Sequence, residues 1–217
     1  FKAQEIANMF WASGKLHRRG APVSPFWDFL PILSEVAVQQ ADAMKAQAIN
    51  NVVQAIAELR NDVFIADFGE DLMAVLATET VKKMRRWTNR DLALDLPGIA
   101  HAFATVMDRQ RPRSEPPGDC ICFCDAAKKR AGSLCCDRLN SCKKKRALLT
   151  AIASTLSGQG KLKLTNDWGL CALTWSFTDV FPDAEFSDFR ERLRAEVGRR
   201  GLSEEMVSRS QFGPDEW

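Results

Sequence analysis

Histidine is scarce in this chain: His17 and His101 are the only two in 217 residues. They stand far apart and neither has a motif partner, so histidine-based catalytic sets find no footing. Long apolar runs are missing as well. None approaches the ~18 residues that a membrane-spanning helix needs. No Walker loop, G-x-S-x-G or H-E-x-x-H occurs, and Gly158-Gln159-Gly160 is too short to cradle phosphate. Acidic pairs such as Glu70-Asp71 and Glu204-Glu205 read as helix surface. The expectation is a chain with no enzymatic site, no cofactor and no membrane span. An enzyme fragment with its catalytic domain outside these residues is the remaining enzymatic reading. Extended alternation of polar and apolar residues is also lacking, which excludes confident strands.

What is present is repetition. Phe1–Leu16 and Met44–Leu59 carry the same phrase, and shorter cores follow at Leu96–Val106 and Leu170–Val180. Aligning Ile6 with Ile49, Leu96 and Leu170 brings Trp11, Gln54, His101 and Trp175 into one position, with spacings of 43, 47 and 74 residues. A slip around Thr88–Asp95 accounts for the second spacing, and an insertion for the third. A period near 40 residues marks stacked supersecondary units. Within each copy the apolar residues recur at helical spacing: Ile6, Met9, Phe10, Ser13 and Leu16, then Ile49, Val52, Val53, Ile56 and Leu59. Small residues at 12, 14, 55, 57, 102 and 104 predict close helix approach.

A second helix is predicted after each first one: Phe29–Val38, Leu72–Val81, Lys144–Leu156 and Ala184–Val197, the last stopped by Gly198. Ser24-Pro25 reads as a cap and first turn, and Pro31 as a kink or as the true start of its helix. Ser203 caps a short helix over Leu202–Ser208. The expected fold is all-α: one domain over 1–217, a right-handed α-α superhelix, or α-solenoid, of about four helix-hairpin repeats. Their approximate bounds are 1–43, 44–86, 87–164 and 165–217, with a Cys-rich loop insertion over 111–143. Because the chain begins at Phe1, a longer precursor is expected.

The net charge of +2 conceals an asymmetry. Residues 1–80 hold 6 Lys/Arg against 10 Asp/Glu, residues 81–165 hold 18 against 7, and residues 166–217 hold 6 against 11. A basic middle block suits an anionic partner such as nucleic acid, or is a basic insertion with solvated helix ends.

The run Gln4-Glu5-Ile6-Ala7-Asn8-Met9-Phe10-Trp11-Ala12-Ser13-Gly14-Lys15-Leu16 resembles the first helix of the octotricopeptide repeat. Ile99–Val106 and Leu173–Val180 are similar to the A-W-A-F-A-T-L form found in algae, alveolates and the related FAST-kinase and RAP-type proteins. The units here are longer than the family's, and no terminal RAP domain lies within the chain. The resemblance implies an α-solenoid that binds single-stranded RNA in the mitochondrion or chloroplast, in RNA processing, stability or translation. The alternative is a scaffold or assembly subunit of a large organellar complex such as a ribosome.

Helical-repeat readers address bases with a few side chains per repeat. The candidates at equivalent positions are Gln4 and Gln47, Glu5 and Ala48, Asn8 and Asn51, and Lys15 with Glu58, Thr105 and Asp179. Asn8 and Asn51 also read as bridges between helices. Candidate phosphate contacts are Arg18 and Arg19; Lys82, Lys83, Arg85 and Arg86; Arg109 and Arg111; and Lys143, Lys144, Lys145 and Arg146. Trp11 and Trp175 lie beside the apolar stripe, so core packing is the expectation over base stacking. His101, at the same position, is expected to be packed.

Six of the seven cysteines, Cys120, Cys122, Cys124, Cys135, Cys136 and Cys142, cluster in the insertion. Their spacing departs from a zinc knuckle and no histidine is near, so a mobile loop is expected ahead of a metal site. The cluster and the odd count suit a reducing compartment.

Overall fold

The computed structural model describes residues 1–21, 27–59, 69–109, 134–158 and 160–209. Among them the secondary structure is entirely helical. The α-helices are α1 (Ala3–Arg18), α2 (Leu30–Gln39), α3 (Ala46–Leu59), α4 (Glu70–Lys83) and α5 (Asn89–Arg109). There follow α6 (Leu134–Leu156), α7 (Lys161–Leu164), α8 (Asp167–Trp175), α9 (Ser187–Arg200) and α10 (Glu204–Arg209). The fold is all-α.

Local chemistry sets the helix starts. The Lys2 N–H donates to the Glu5 carboxylate at 2.9 Å. Thr88 and Asp91 exchange two bonds ahead of α5: the Thr88 N–H to Asp91 Oδ2 (2.9 Å) and the Asp91 N–H to Thr88 Oγ1 (3.2 Å). Asn166 Oδ1 accepts from the Gly169 N–H at 2.7 Å and caps α8. Ser203 Oγ accepts from the Met206 N–H at 3.2 Å, the cap expected for the last helix. Pro31 lies in the first turn of α2, where its missing N–H costs nothing.

The helices pack in two series. α1 lies against α3, α3 against α5, and α5 against α8; separately, α2 lies against α4 and α4 against α6. Neighbours in each series run parallel. Lys15 reaches Glu58 from α1 to α3, and Asn50 and Gln54 reach Asp95 and Gly98 from α3 to α5. Lys145 pairs with Glu70 at one end of the α4–α6 contact, and Thr155 donates to the Met84 sulfur at the other.

Small residues permit these approaches. A Cβ on Gly14 would stand 2.9 Å from the Ala55 Cα, and one on Gly98 would stand 2.4 Å from Asn50 Oδ1. A Cβ on Gly169 would stand 3.1 Å from the Pro97 ring. Beneath them, Ile6, Ile49, Leu96 and Leu170, the four register residues, are all fully buried. Each such side chain contributes about 1.5–3 kcal/mol of burial. Leu16 departs from the stripe and is 39% exposed.

The far end is tied by Phe177 and Arg200. Phe177 meets Phe186 and Phe189 edge-on, at 5.1 and 4.9 Å between centroids. Arg200 donates to the Leu162, Lys163 and Thr165 carbonyls, to Asp167 and to Glu196. It thereby satisfies the open carbonyl end of α7.

Three boundaries differ from expectation. α6 begins at Leu134, so 134–143 of the expected loop are helical. The slip at Thr88–Asp95 is the capped start of α5, with Pro97 inside the helix. α9 runs through Gly198 and stops at Gly201, whose φ of 68° is the left-handed turn glycine favours. The Glu196 pairs with Arg199 and Arg200 span Gly198 and offset its poor propensity. The Ser24-Pro25 cap lies outside the described residues.

Two predictions test this packing. Gly14→Leu, forced against the Ala55 backbone, lowers unfolding free energy by about 1–3 kcal/mol. Gly198→Ala, with nothing within 4 Å of the added methyl, raises it by about 0.5–1 kcal/mol. Urea unfolding measures both. Glu196 supplies a further one: the Arg199 hydrogen bond, helped by Arg200 and opposed by burial, pulls its carboxyl from 4.5 down to about 2. Its contribution is complete above pH 4.5 and is lost as the pH falls toward about 2. Glu196→Gln flattens that part of the stability–pH curve, as thermal melts over the acid range will read.

Candidate nucleic-acid interface

Four side chains form a line along α1: Gln4, Asn8, Trp11 and Lys15, spaced so that a helix stacks them on one face. Their register equivalents on α3 are Gln47, Asn51, Gln54 and Glu58. Gln4, Asn8, Trp11 and Gln47 are exposed, and Lys15, Asn51, Gln54 and Glu58 are half-buried. Because α1 and α3 run parallel, the two lines lie side by side. Gln4 Nε2 donates to Asn8 Oδ1 at 3.0 Å, so these two candidates hold each other. Lys15 and Arg18 both pair with Glu58 at 3.4 Å, which ties α1 to α3.

The same face changes character further along. On α5 the equivalents of Gln47, Asn51 and Gln54 are Leu94, Gly98 and His101. Leu94 is 43% exposed, while His101 is buried between Trp168 and Trp175 at 5.6 and 5.4 Å. The packed reading of His101 and Trp175 therefore holds. Trp11 corrects the expectation: it is 48% exposed, because α1 has no preceding helix in these residues to cover that face. Thr105 is buried and donates to the His101 carbonyl. Asp179 lies in the wider helical turn over Ser176–Val180, where burial, with Asp108 nearby, raises its carboxyl above the usual range.

A slot of about 120 Å³ opens on this face. Trp11, Lys15, Asn50, Asn51, Gln54, Glu58, Gly98 and Trp168 line it, with Ala55. Gln54 Nε2 donates to the Gly98 carbonyl at 2.7 Å, and Asn50 Nδ2 donates to Asp95 Oδ1 at 3.3 Å. Burial raises the Asp95 carboxyl above its ordinary value, against the Asn50 bond, which lowers it. Sequence reasoning missed Asn50 and Trp168. Trp168 was within reach of the register, since it holds the position of Gln4, Gln47 and Leu94. Asn50 faces Gly98 only through the α3–α5 packing.

The cationic candidates do not converge. Lys83 Nζ donates to the Ala41 and Met44 carbonyls at 2.8 and 3.0 Å, a structural bond between units. Lys82 pairs with Glu79 at 2.6 Å, and its hydrogen bond is the main reason that carboxyl sits below the usual range. Lys145 is buried against Glu70 at 3.8 Å, which takes it out of reach of a phosphate. Arg146 pairs with Glu185 and Asp183. Arg19, Arg85, Arg86, Lys143 and Lys144 are exposed and make no ion pair among the described residues. Lys143 and Lys144 lie beside the α4 start and Arg85 and Arg86 just past its end, about 20 Å away at 1.5 Å per residue. Lys82 and Arg85 flank a second cleft, of about 330 Å³, between α4 and α6. The Arg109 side chain and Arg111 lie outside the described residues.

No family model matches the chain, and no curated protein or solved structure is similar enough to show a relationship.

Among the described residues no three His, Cys, Asp or Glu side chains are grouped to hold a metal. Cys120, Cys122 and Cys124 lie outside those residues, and of Cys135, Cys136 and Cys142 only the backbone, in α6, is described. No helix of the described residues is long and apolar enough to cross a membrane.

Cys171 is fully buried in α8, and burial, with Asp167 adding to it and Arg200 opposing it, pushes its thiol up to about 11. Iodoacetamide at about pH 8 leaves Cys171 unmodified in the native protein and labels it after unfolding. Peptide mass spectrometry decides, and equal labelling of both states would refute this burial.

Proposed function

We propose that this chain is a right-handed α-solenoid of about four helix-hairpin units that binds single-stranded RNA. The observation that carries the reading is the pair of parallel lines, Gln4-Asn8-Trp11-Lys15 and Gln47-Asn51-Gln54-Glu58. Amide side chains repeated at two register positions on neighbouring helices, Gln4 and Gln47 exposed, Asn8 exposed and Asn51 half-buried, suit one-base-per-repeat recognition. An exposed tryptophan beside them suits stacking on a base. The exposed Arg19, Arg85, Arg86, Lys143 and Lys144 supply phosphate contacts. The setting, RNA processing, stability or translation in a mitochondrion or chloroplast, rests on the resemblance to octotricopeptide repeats.

The second reading is a scaffold within a large organellar assembly, which would use exposed apolar side chains such as Ile32 (57%), Leu94 (43%) and Leu164 (53%) as contacts.

Fluorescence anisotropy with mixed-sequence single-stranded RNA across a salt series separates the two. RNA binding gives a log–log salt slope of about −0.7 per phosphate contacted. Replacing Arg85 and Arg86 together with Ala makes the slope shallower by about 1.4. Gln47→Ala with Asn51→Ala weakens binding and leaves the slope unchanged. No binding at low salt overturns the RNA reading and leaves the scaffold.

A further inference from the structure

We propose that the outer flank of α1 binds α1 of a second copy of this chain, antiparallel, about a two-fold axis at Ala12. The inference goes beyond RNA binding and does not rest on it.

The contacts between first helices define this flank. Ala55 lies against Gly14, Asp95 accepts from Asn50, and Gly169 lies against Pro97. The register positions of Glu5 and Ala12 therefore face the preceding first helix in each later unit. At the Ala12 position, Ala55, Ala102 and Ser176 are buried, and at the Leu16 position Leu59, Val106 and Val180 are buried. On α1 itself Glu5, Ala12 and Leu16 are all exposed. A small residue that elsewhere admits a neighbouring helix has none to meet here among the described residues.

The chemistry of the flank selects the occupant. Glu5 and Arg19, both exposed, stand seven residues to either side of Ala12. Fourteen residues make close to four turns, so the two charges share one stripe about 21 Å apart. Half-buried Met9 and exposed Leu16 lie between them. A second α1 laid antiparallel across Ala12 sets each Glu5 against the other copy's Arg19, and each Met9 beside the other copy's Leu16. The stripe is self-complementary, as a two-fold contact requires. Antiparallel dipoles favour the same arrangement, whereas parallel helices would set Glu5 on Glu5. Glu5 gives one carboxylate oxygen to the Lys2 N–H and keeps the other. Head-to-tail stacking is closed. At the far end α9 and α10 pack on α8, and Gly169–Trp175 are buried, so a second copy finds no open first helix there.

Sedimentation velocity tests the contact on the whole chain. Between about 1 and 200 µM the mass is expected to rise from the 24.3 kDa monomer to twice that, with a midpoint of about 10 µM, since one helix pair sits at the small end of interfaces. Ala12→Glu sets like charges on the axis, at an exposed helix position, and holds the protein monomeric throughout. Glu5→Arg and Arg19→Glu each weaken association about tenfold, and the two together return it to within about threefold of the native value. Circular dichroism checks that each variant keeps its helical content. A native protein that stays monomeric at about 200 µM overturns the proposal. A dimer indifferent to Ala12→Glu, or a double exchange no better than the single ones, overturns it equally.

Discussion

Close parallel contact between the first helices of successive units is the constraint on which the rest depends. It is made at Gly14 against Ala55, Gly98 against Asn50 and Gly169 against Pro97. Bulk at any of these points would separate two helices and open the core over Ile6, Ile49, Leu96 and Leu170. The same contact sets the surface. Parallel neighbours keep register positions side by side, so Gln47 and Asn51 lie next to Gln4 and Asn8. Gly98 lets Asn50 approach α5, where a Cβ would stand 2.4 Å from its Oδ1.

Charge follows a different logic. The sequence shows a basic middle block, and the fold pairs Lys82, Lys83, Lys145 and Arg146 of it, along with Lys15 and Arg18 outside it, with carboxylates. Glu58, Glu70 and Glu79 each take up one or two cations, and Lys83 serves two carbonyls of the preceding turn. The Glu58 and Glu70 pairs join two helices, the Glu79 pairs lie within α4, and all act in partly buried settings, where removing one partner would leave the other with the desolvation cost. Cations that remain open, such as Arg85 and Arg86 past the end of α4 and Lys143 and Lys144 near its start, occupy separate edges.

Much of the helical pattern was legible. The i, i+3, i+4 stripe located α1 and α3 almost to the residue, and Ser203 and Pro31 acted as their chemistry implies. The misses share a cause. Gly198 read as a stop because propensity is local, whereas Glu196, Arg199 and Arg200 extend the helix past it. Trp11 read as core because its position resembles Trp175, yet burial depends on what stands across from it. Trp175 has α5 and His101 opposite; Trp11 ends the series among these residues. In the candidate site, Gln4, Asn8, Gln47 and Asn51 could be read from repetition. Asn50 could not, because it lies off the repeated positions and meaning comes to it from Gly98 on another helix.

The sequence by itself determined the all-helical class of the described residues and most of the buried stripe, because these follow from periodicity and backbone preference over a few turns. Tertiary structure alone decided which polar groups stay open, which cations are spent within the fold, and which residues line the slot. The physical reason is distance along the chain. Helix formation is governed by neighbours three and four residues away, whereas exposure, ion pairing and the slot depend on residues some 40 to 70 positions apart brought together by packing.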